Sequence, residues 1–224
     1  MKSKHLFAKS LLILLVLSLL LPCLLAGCAE KDRTYDEAEV LAAAKELIEG
    51  SILLNEIYYG RGIPYLDDAS EANGYYYPAD PFFEDESGIG SIADLRERTD
   101  AVYTRALADL IYRTKLSSVS DEDGVRALAR YYQKYEDAEQ TQPVCIMVNV
   151  RAEVFLVDEV EYLFDTLSVD GAEGERVYVR MLTRATDDEG HTLESVMRVA
   201  LIEEERGWRL DSPTYRRYHA EGGE

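Results

Sequence analysis

The chain has 224 residues, with 43 Asp and Glu against 24 Lys and Arg, for a formal net charge of −19. That acidity excludes the basic stripe on which nucleic-acid binding depends and disfavours adhesion to anionic surfaces, leaving cations and basic partners as the charged ligands it suits. Its three cysteines are too few and too scattered for a disulfide framework, so the fold has to stand on an apolar core.

The first element is the leader. Lys2, Lys4 and Lys9 precede an apolar run from Leu11 to Leu25, and Leu25-Ala26-Gly27-Cys28 closes it. A basic start, an apolar stretch and small residues before a cleavage point are the parts of a secretory signal. A spanning helix needs about 20 apolar residues, and this run is shorter and carries Pro22, so cleavage is expected rather than retention as a transmembrane anchor. The motif at Cys28 resembles the lipobox of bacterial lipoproteins, in which the cysteine thiol is acylated and the bond before it is cut. The resemblance implies a signal peptide over residues 1–27, a fatty acyl group such as palmitate on Cys28, and a mature protein anchored at the extracytoplasmic face of the cell membrane. One acyl chain binds a bilayer marginally, whereas two or more hold a protein stably.

Removing Lys2, Lys4 and Lys9 with the leader takes the formal charge from −19 to −22. Such a surface is solvated and self-repelling, which keeps an exported domain soluble. Cys23 leaves with the leader and Cys28 takes lipid, so Cys145 has no intramolecular partner. It sits in the run Val144-Cys145-Ile146-Met147-Val148, where a thiol behaves as a small apolar side chain. A catalytic cysteine wants a cationic or histidine neighbour, and His191 and His219 fall in a turn and a tail.

Residues 28–33 form a tether of about 20 Å at full extension, which keeps the domain close to the membrane. Thr34 and Glu37 have capping-box spacing. Val40, Ala44, Leu47, Ser51, Leu54 and Tyr58 then mark one face of a helix that Gly60 and Gly62 stop. The stretch from Gly60 to Gly90 is the least regular and holds Tyr65, Tyr75, Tyr76, Tyr77, Phe82 and Phe83. Either these rings fold onto the domain, or Tyr65, Tyr75, Tyr76, Tyr77 and Phe82 foremost meet a ligand such as a glycan, a peptide or an envelope protein.

Ser91 and Asp94 repeat the capping spacing and open a helical segment to about Lys115, with a break expected near Thr99 and Asp100. Its apolar face carries Leu95, Val102, Tyr103, Ala106, Leu107, Leu110 and Ile111. A third helical stretch is expected after Ser120 through Val125, Leu128, Ala129 and Tyr132, with Tyr131, Tyr132 and Tyr135 equally able to begin a strand.

From Pro143 the period changes to two. Strands are expected over Val144–Val150, Val154–Val157, Val160–Val169, Glu175–Ala185 and Thr192–Glu205, followed by Trp208–Asp211. Val177, Val179, Met181 and Thr183 share one face with Arg176, Arg180 and Arg184 on the other, and Leu193, Met197, Val199 and Leu201 face inward from the next strand. Thr186 to His191 reads as a hairpin turn. The pattern is α+β, with N-terminal helices packed on a curved antiparallel sheet of about four to six strands. It assigns residues 34–215 to a single domain and 216–224 to a flexible acidic tail.

The ending from Val177-Tyr178-Val179 through Leu201-Ile202-Glu203-Glu204-Glu205 to Gly207-Trp208-Arg209-Leu210-Asp211-Ser212-Pro213 resembles the last hairpin of extracellular domains in the nuclear transport factor 2-like superfamily. That resemblance implies a strongly bent, cone-shaped sheet wrapped around helices. The leading helix, the Tyr-rich loop, Ser91-Ile92-Ala93-Asp94-Leu95 and the terminal Gly-Trp-Arg are also similar to IseA-like secreted inhibitors of cell-wall endopeptidases.

Enzymes of the cone-shaped superfamily place an Asp, His or Tyr inside the cone, and a buried carboxylate there would have the raised pKa that acid or base work needs. Here the inward positions are apolar, with Asp109 the acid on a helix that remains to be located. Asp121-Glu122-Asp123-Gly124 and Asp187-Asp188-Glu189-Gly190 lack the spacing of a calcium loop and read as a helix cap and a turn. No metal or cofactor is expected. The residues point to a non-enzymatic binding or scaffolding lipoprotein of the cell envelope. The alternatives are an inhibitor or regulator of peptidoglycan hydrolases and an enzyme with a small pocket inside the cone.

Overall fold

A computed structural model describes residues 35–67, 74–121, 124–153, 159–186 and 190–215. The leader, Cys28, the tether with Thr34, the run 154–157, the acidic residues 122–123 and 187–189, and the tail from residue 216 with His219 lie outside the described residues. The described residues belong to one compact unit.

Helix α1 spans Glu37–Tyr59. Its cap is Asp36 rather than Thr34: Asp36 Oδ1 accepts from the amides of Ala38 at 2.9 Å and Glu39 at 3.3 Å. A carboxylate there also meets the positive end of the helix dipole. The expected face is buried, from Val40 and Ala44 to Leu54 and Tyr58. Gly60 ends the helix, its amide bonded to the carbonyls of Asn55 and Glu56.

The Gly60–Gly90 stretch is more regular than its composition suggests. It holds strand β1 (Tyr76–Pro78) and helix α2 (Pro81–Ser87). Asp80 caps α2, Pro81 occupies its first turn and Gly88 closes it in the left-handed region. Those stop and start signals are local, but the helix has no fully buried side chain, so no apolar period advertises it.

Helix α3 (Ile92–Val102) opens under Ser91, whose hydroxyl accepts from the Asp94 amide at 3.1 Å, as the spacing predicts. The break falls at Tyr103 and Thr104, later than expected, and α4 (Arg105–Lys115) follows. The Thr104 amide donates to the Leu210 carbonyl at 2.9 Å, so a contact with the last strand decides where the helices part. Thr99 stays inside α3, bonded to Leu95 O at 2.6 Å and to the Tyr58 hydroxyl at 2.9 Å. Ala106 and Leu110, expected on the apolar face, are exposed.

The third helix is replaced by strands. β2 (Val119–Asp121) and β3 (Gly124–Ala127) make a two-stranded hairpin, and β4 (Tyr131–Tyr135) pairs antiparallel with β5 (Pro143–Asn149). Val125, Leu128, Ala129 and Tyr132 imitate a helical period, yet Tyr131 pairs with Val148 and Tyr132 with Met147. Residues of this type settle on a pleated surface when cross-strand partners exist, and those partners lie beyond any local window.

β1, β5 and β4 form a three-stranded sheet. β6 (Glu159–Glu173), β7 (Arg176–Thr186), β8 (Thr192–Glu204) and β9 (Gly207–Leu210) form a four-stranded antiparallel meander. The fold is α+β, with helices against a curved, unclosed antiparallel sheet. β7 and β8 stay in register from Arg176 opposite Ile202 to Thr186 opposite Thr192. β6 slips against β7 between Leu163 and Ser168 and again between Val169 and Gly171, and such bulges bend a strand.

Val177, Val179, Met181, Met197, Val199 and Leu201 face inward as the alternation predicts and join Trp208, Leu210, Val40 and Ile48 in one core. Leu193, expected with them, is exposed near the hairpin end of β8. On the other face Arg176 pairs with Asp211, Arg180 with Asp170, and Arg184 with Glu161 and Glu194.

Candidate functional site

Inside the curve of the sheet the polar groups satisfy one another. Ser51 Oγ and Thr214 Oγ1 are 2.6 Å apart, Asn55 Nδ2 donates to Thr214 Oγ1 at 2.7 Å, and the Tyr103 hydroxyl donates to Asn55 Oδ1 at 3.2 Å. Burial pushes the phenols of Tyr58 and Tyr103 well above their usual range, so both are neutral donors at physiological pH. Neither a carboxylate nor an imidazole is among the buried polar side chains of the described residues. Asp109, the acid whose position was open, is exposed and lines an outer groove of about 820 Å³ with Asp100, Arg105, Tyr112, Glu204 and Arg209. Two of the acids in that groove accept hydrogen bonds from its other lining residues. Tyr112 OH donates to Asp100 Oδ1 at 2.6 Å and the Arg105 amide to Glu204 Oε1 at 3.2 Å.

The aromatic stretch is anchored by Arg130 and Tyr131, a role that nothing in the sequence marks. Arg130, 5% exposed, donates through Nη2 to Gly60 O at 2.6 Å and through Nη1 to Tyr58 O at 3.3 Å and Glu153 O at 3.0 Å. Its Nε donates to the Tyr131 hydroxyl at 2.9 Å, and that hydroxyl donates to Ile57 O at 2.6 Å. The last carbonyls of a helix have no intrahelical partner, and here a guanidinium and a phenol supply one. The Ile63 amide donates to the same phenol at 3.2 Å, which ties the start of the aromatic stretch to the end of α1. Gly62 lies between them at φ +90°, where a Cβ would sit 2.6 Å from the Tyr131 hydroxyl and 2.7 Å from Arg130 Nη2.

The five aromatic residues singled out from the sequence separate into different roles. Tyr76 is 6% exposed, donates to Ala129 O at 2.7 Å and meets the Tyr132 ring edge-on at 4.8 Å, so it packs and presents no surface. Tyr75 is half-buried with the Arg151 guanidinium 4.2 Å over its ring. Tyr65 and Tyr77 come together, ring centroids 5.4 Å apart, and Tyr65 is 40% exposed. Phe82 is 74% exposed, more than any other large apolar side chain among the described residues, while Phe83 packs against the core.

Between α2 and β5 lies a cleft of about 90 Å³, lined by Ala79, Pro81, Phe83, Glu84, Val144 and Cys145 among others. Val144 is 57% exposed; in the sequence it was one apolar residue of a strand and nothing set it apart. Among the described residues no group of His, Cys, Asp and Glu is arranged to hold a metal ion, and no helix is long and apolar enough to cross a membrane. Set against known proteins, the chain matches no family model and no curated sequence.

Proposed function

We propose that this chain is a lipoprotein held through Cys28 at the outer face of a bacterial cytoplasmic membrane, and that its α+β domain is a non-enzymatic binding or scaffolding module of the cell envelope. The observation that carries the binding reading is Phe82, left 74% exposed in the same stretch in which Tyr76 is buried and Phe83 packs against the core. A large aromatic side chain held on an ordered scaffold makes a binding anchor at little entropic cost. The interior adds support, because its buried polar groups, the Arg130 guanidinium included, are already bonded within the domain and no carboxylate or imidazole is among those of the described residues. The lipobox supports the anchor, and the helices against a curved, unclosed sheet are compatible with a nuclear transport factor 2-like domain.

Two measurements test this reading. Cys28→Ala is expected to move the protein from the membrane fraction to the soluble or precursor fraction, and an unchanged distribution removes the anchor. Cross-linking in intact cells is expected to capture an envelope partner with the wild type and lose it with Phe82→Ala at unchanged Tm. Capture that is indifferent to Phe82 removes the contact surface.

A second reading, inhibition of cell-wall endopeptidases, is favoured by the same exposed ring, carried on the acidic helix α2. Adding the purified protein to a peptidoglycan endopeptidase assay at micromolar concentration decides it, since undiminished hydrolysis ends the idea.

A further inference from the structure

We propose that Thr214 and Tyr215 form a removable strap over a polar pocket between α1 and β6, and that the pocket takes an extended segment of a partner protein in which a hydroxyl-bearing residue precedes an aromatic one. The inference goes beyond the reading at Phe82 and concerns a separate site. Asn55 Nδ2 donates to Thr214 Oγ1 at 2.7 Å, and Ser51 Oγ lies 2.6 Å from the same oxygen. Ser51 Oγ gives its own proton to Ile48 O at 2.7 Å. A hydroxyl has one proton to give, so Thr214 is the donor toward Ser51. The group at this point accepts and donates at once, which a hydroxyl can do and a methyl or an ammonium cannot. Tyr162 OH donates to the Thr214 carbonyl at 3.2 Å, and the Tyr215 ring stacks on Tyr59 with centroids 4.0 Å apart. Hydroxyl, carbonyl and ring each meet their own partners within two successive residues.

The receiving groups belong to the scaffold, and the strap does not. Ser51 and Asn55 sit one turn apart on the buried face of α1, 0% and 3% exposed, among Ile48, Leu54 and Tyr58. Such a face is ordinarily apolar, yet both residues are turned to one that lies 163 and 159 positions further along the chain. The Tyr103 hydroxyl donates to Asn55 Oδ1 at 3.2 Å, which aims the Asn55 amide nitrogen at the strap. The strap itself lies past the ladder. β9 ends at Leu210, the Asp211 amide donates to Ala200 O at 2.8 Å, and Ser212 Oγ accepts from the Ala200 amide at 2.9 Å. After Ser212, among the described residues, the chain is held by side chains of α1 and β6, so lifting Thr214 and Tyr215 breaks no strand pairing. Opening is easiest where the backbone is unpaired and buried contacts are few. A pocket filled by its own chain binds an outside segment with a Kd divided by the fraction of molecules whose strap is lifted.

Calorimetry on the full-length protein in detergent micelles tests this with two end-blocked probes. One is Ser-Pro-Thr-Tyr-Arg, which copies residues 212–216, and the other is the same peptide with Val for Thr. Thr214→Val keeps the shape of the strap and removes its hydroxyl. It is expected to bind the Thr probe at least tenfold more tightly than the wild type, whose intact strap competes, and Tyr215→Ala is expected to do the same. The Val probe is expected to bind none of the three proteins, and Phe82→Ala should leave the wild-type Kd within twofold. Equal Kd across wild type and strap variants, absence of binding to the variants, or equal binding of the two probes overturns the proposal. Loss of the fold in both strap variants overturns it as well, since Thr214 would then belong to the core. Sedimentation separates the sources of the segment. A monomer is expected, and a dimer that Thr214→Val dissociates would overturn the partner protein in favour of a second copy of this chain. Capture in cells through Phe82 stands or falls independently of each of these outcomes.

Discussion

A guanidinium buried without a carboxylate needs another source of negative potential, and Arg130 finds it at the end of α1. Three carbonyls and a phenol accept from it, and among the described residues no acid pairs with it. The carbonyl end of a helix carries partial negative charge, so a cation is stabilised there as well as hydrogen-bonded. Arg130→Met removes the donors and leaves buried acceptors behind, for an expected loss of about 3 kcal/mol in urea unfolding. Arg130→Lys retains the charge but not the planar fork and is expected to fall between the two. A Met variant as stable as the wild type would show that water replaces the guanidinium and that it is no latch. None of this was legible beforehand. Arg130 stands in a segment read as helical, and its partners lie in α1 and beyond β5, far along the chain.

Among the elements, stability should follow register. The β7–β8 ladder runs unbroken over eleven residue pairs and its inward side chains form the core, whereas β2 and β3 make a two-stranded sheet of their own. An isolated hairpin is marginal in water, and opening free energies fall with buried contact. Hydrogen exchange is therefore expected to find amides of Val179, Met181 and Val199 slowest and those of Ser120 and Val125 exchanging orders of magnitude faster. Comparable protection in both hairpins would contradict this ordering. The same contrast explains what could be read in advance. A clean period of two from Val177 to Thr183 needs no partner to be recognised, since each residue declares its face. The segment from Ser120 to Tyr135 has an ambiguous period, and only β5 resolves it.

For the whole molecule, the tyrosines set an alkaline limit. Burial raises the phenols of Tyr58, Tyr103, Tyr131 and Tyr162. A phenol whose pKa is higher in the folded state contributes its full stabilisation below the unfolded value of about 10, and that contribution is lost as pH rises toward the folded value. Raising the pH above about 10 should therefore unfold the domain cooperatively, with phenolate absorbance of the buried rings appearing together with loss of circular dichroism. If absorbance shows every tyrosine ionised while the fold persists, the burial argument is wrong.

Period and punctuation carried the α+β class, the buried face of α1, the start of α3 and the inward residues of β7 and β8, because each is a property of neighbours a few residues apart. The motif at Cys28, on which the proposed anchor rests, is equally local. Tertiary contacts decided the rest: Tyr76 inside and Phe82 outside, Asp109 on an outer groove, strands in place of a third helix, and Arg130 closing α1. Those outcomes depend on which distant surface packs against a side chain in the native fold. No local pattern encodes that, because adjacent aromatic residues have the same composition whether they pack or face solvent.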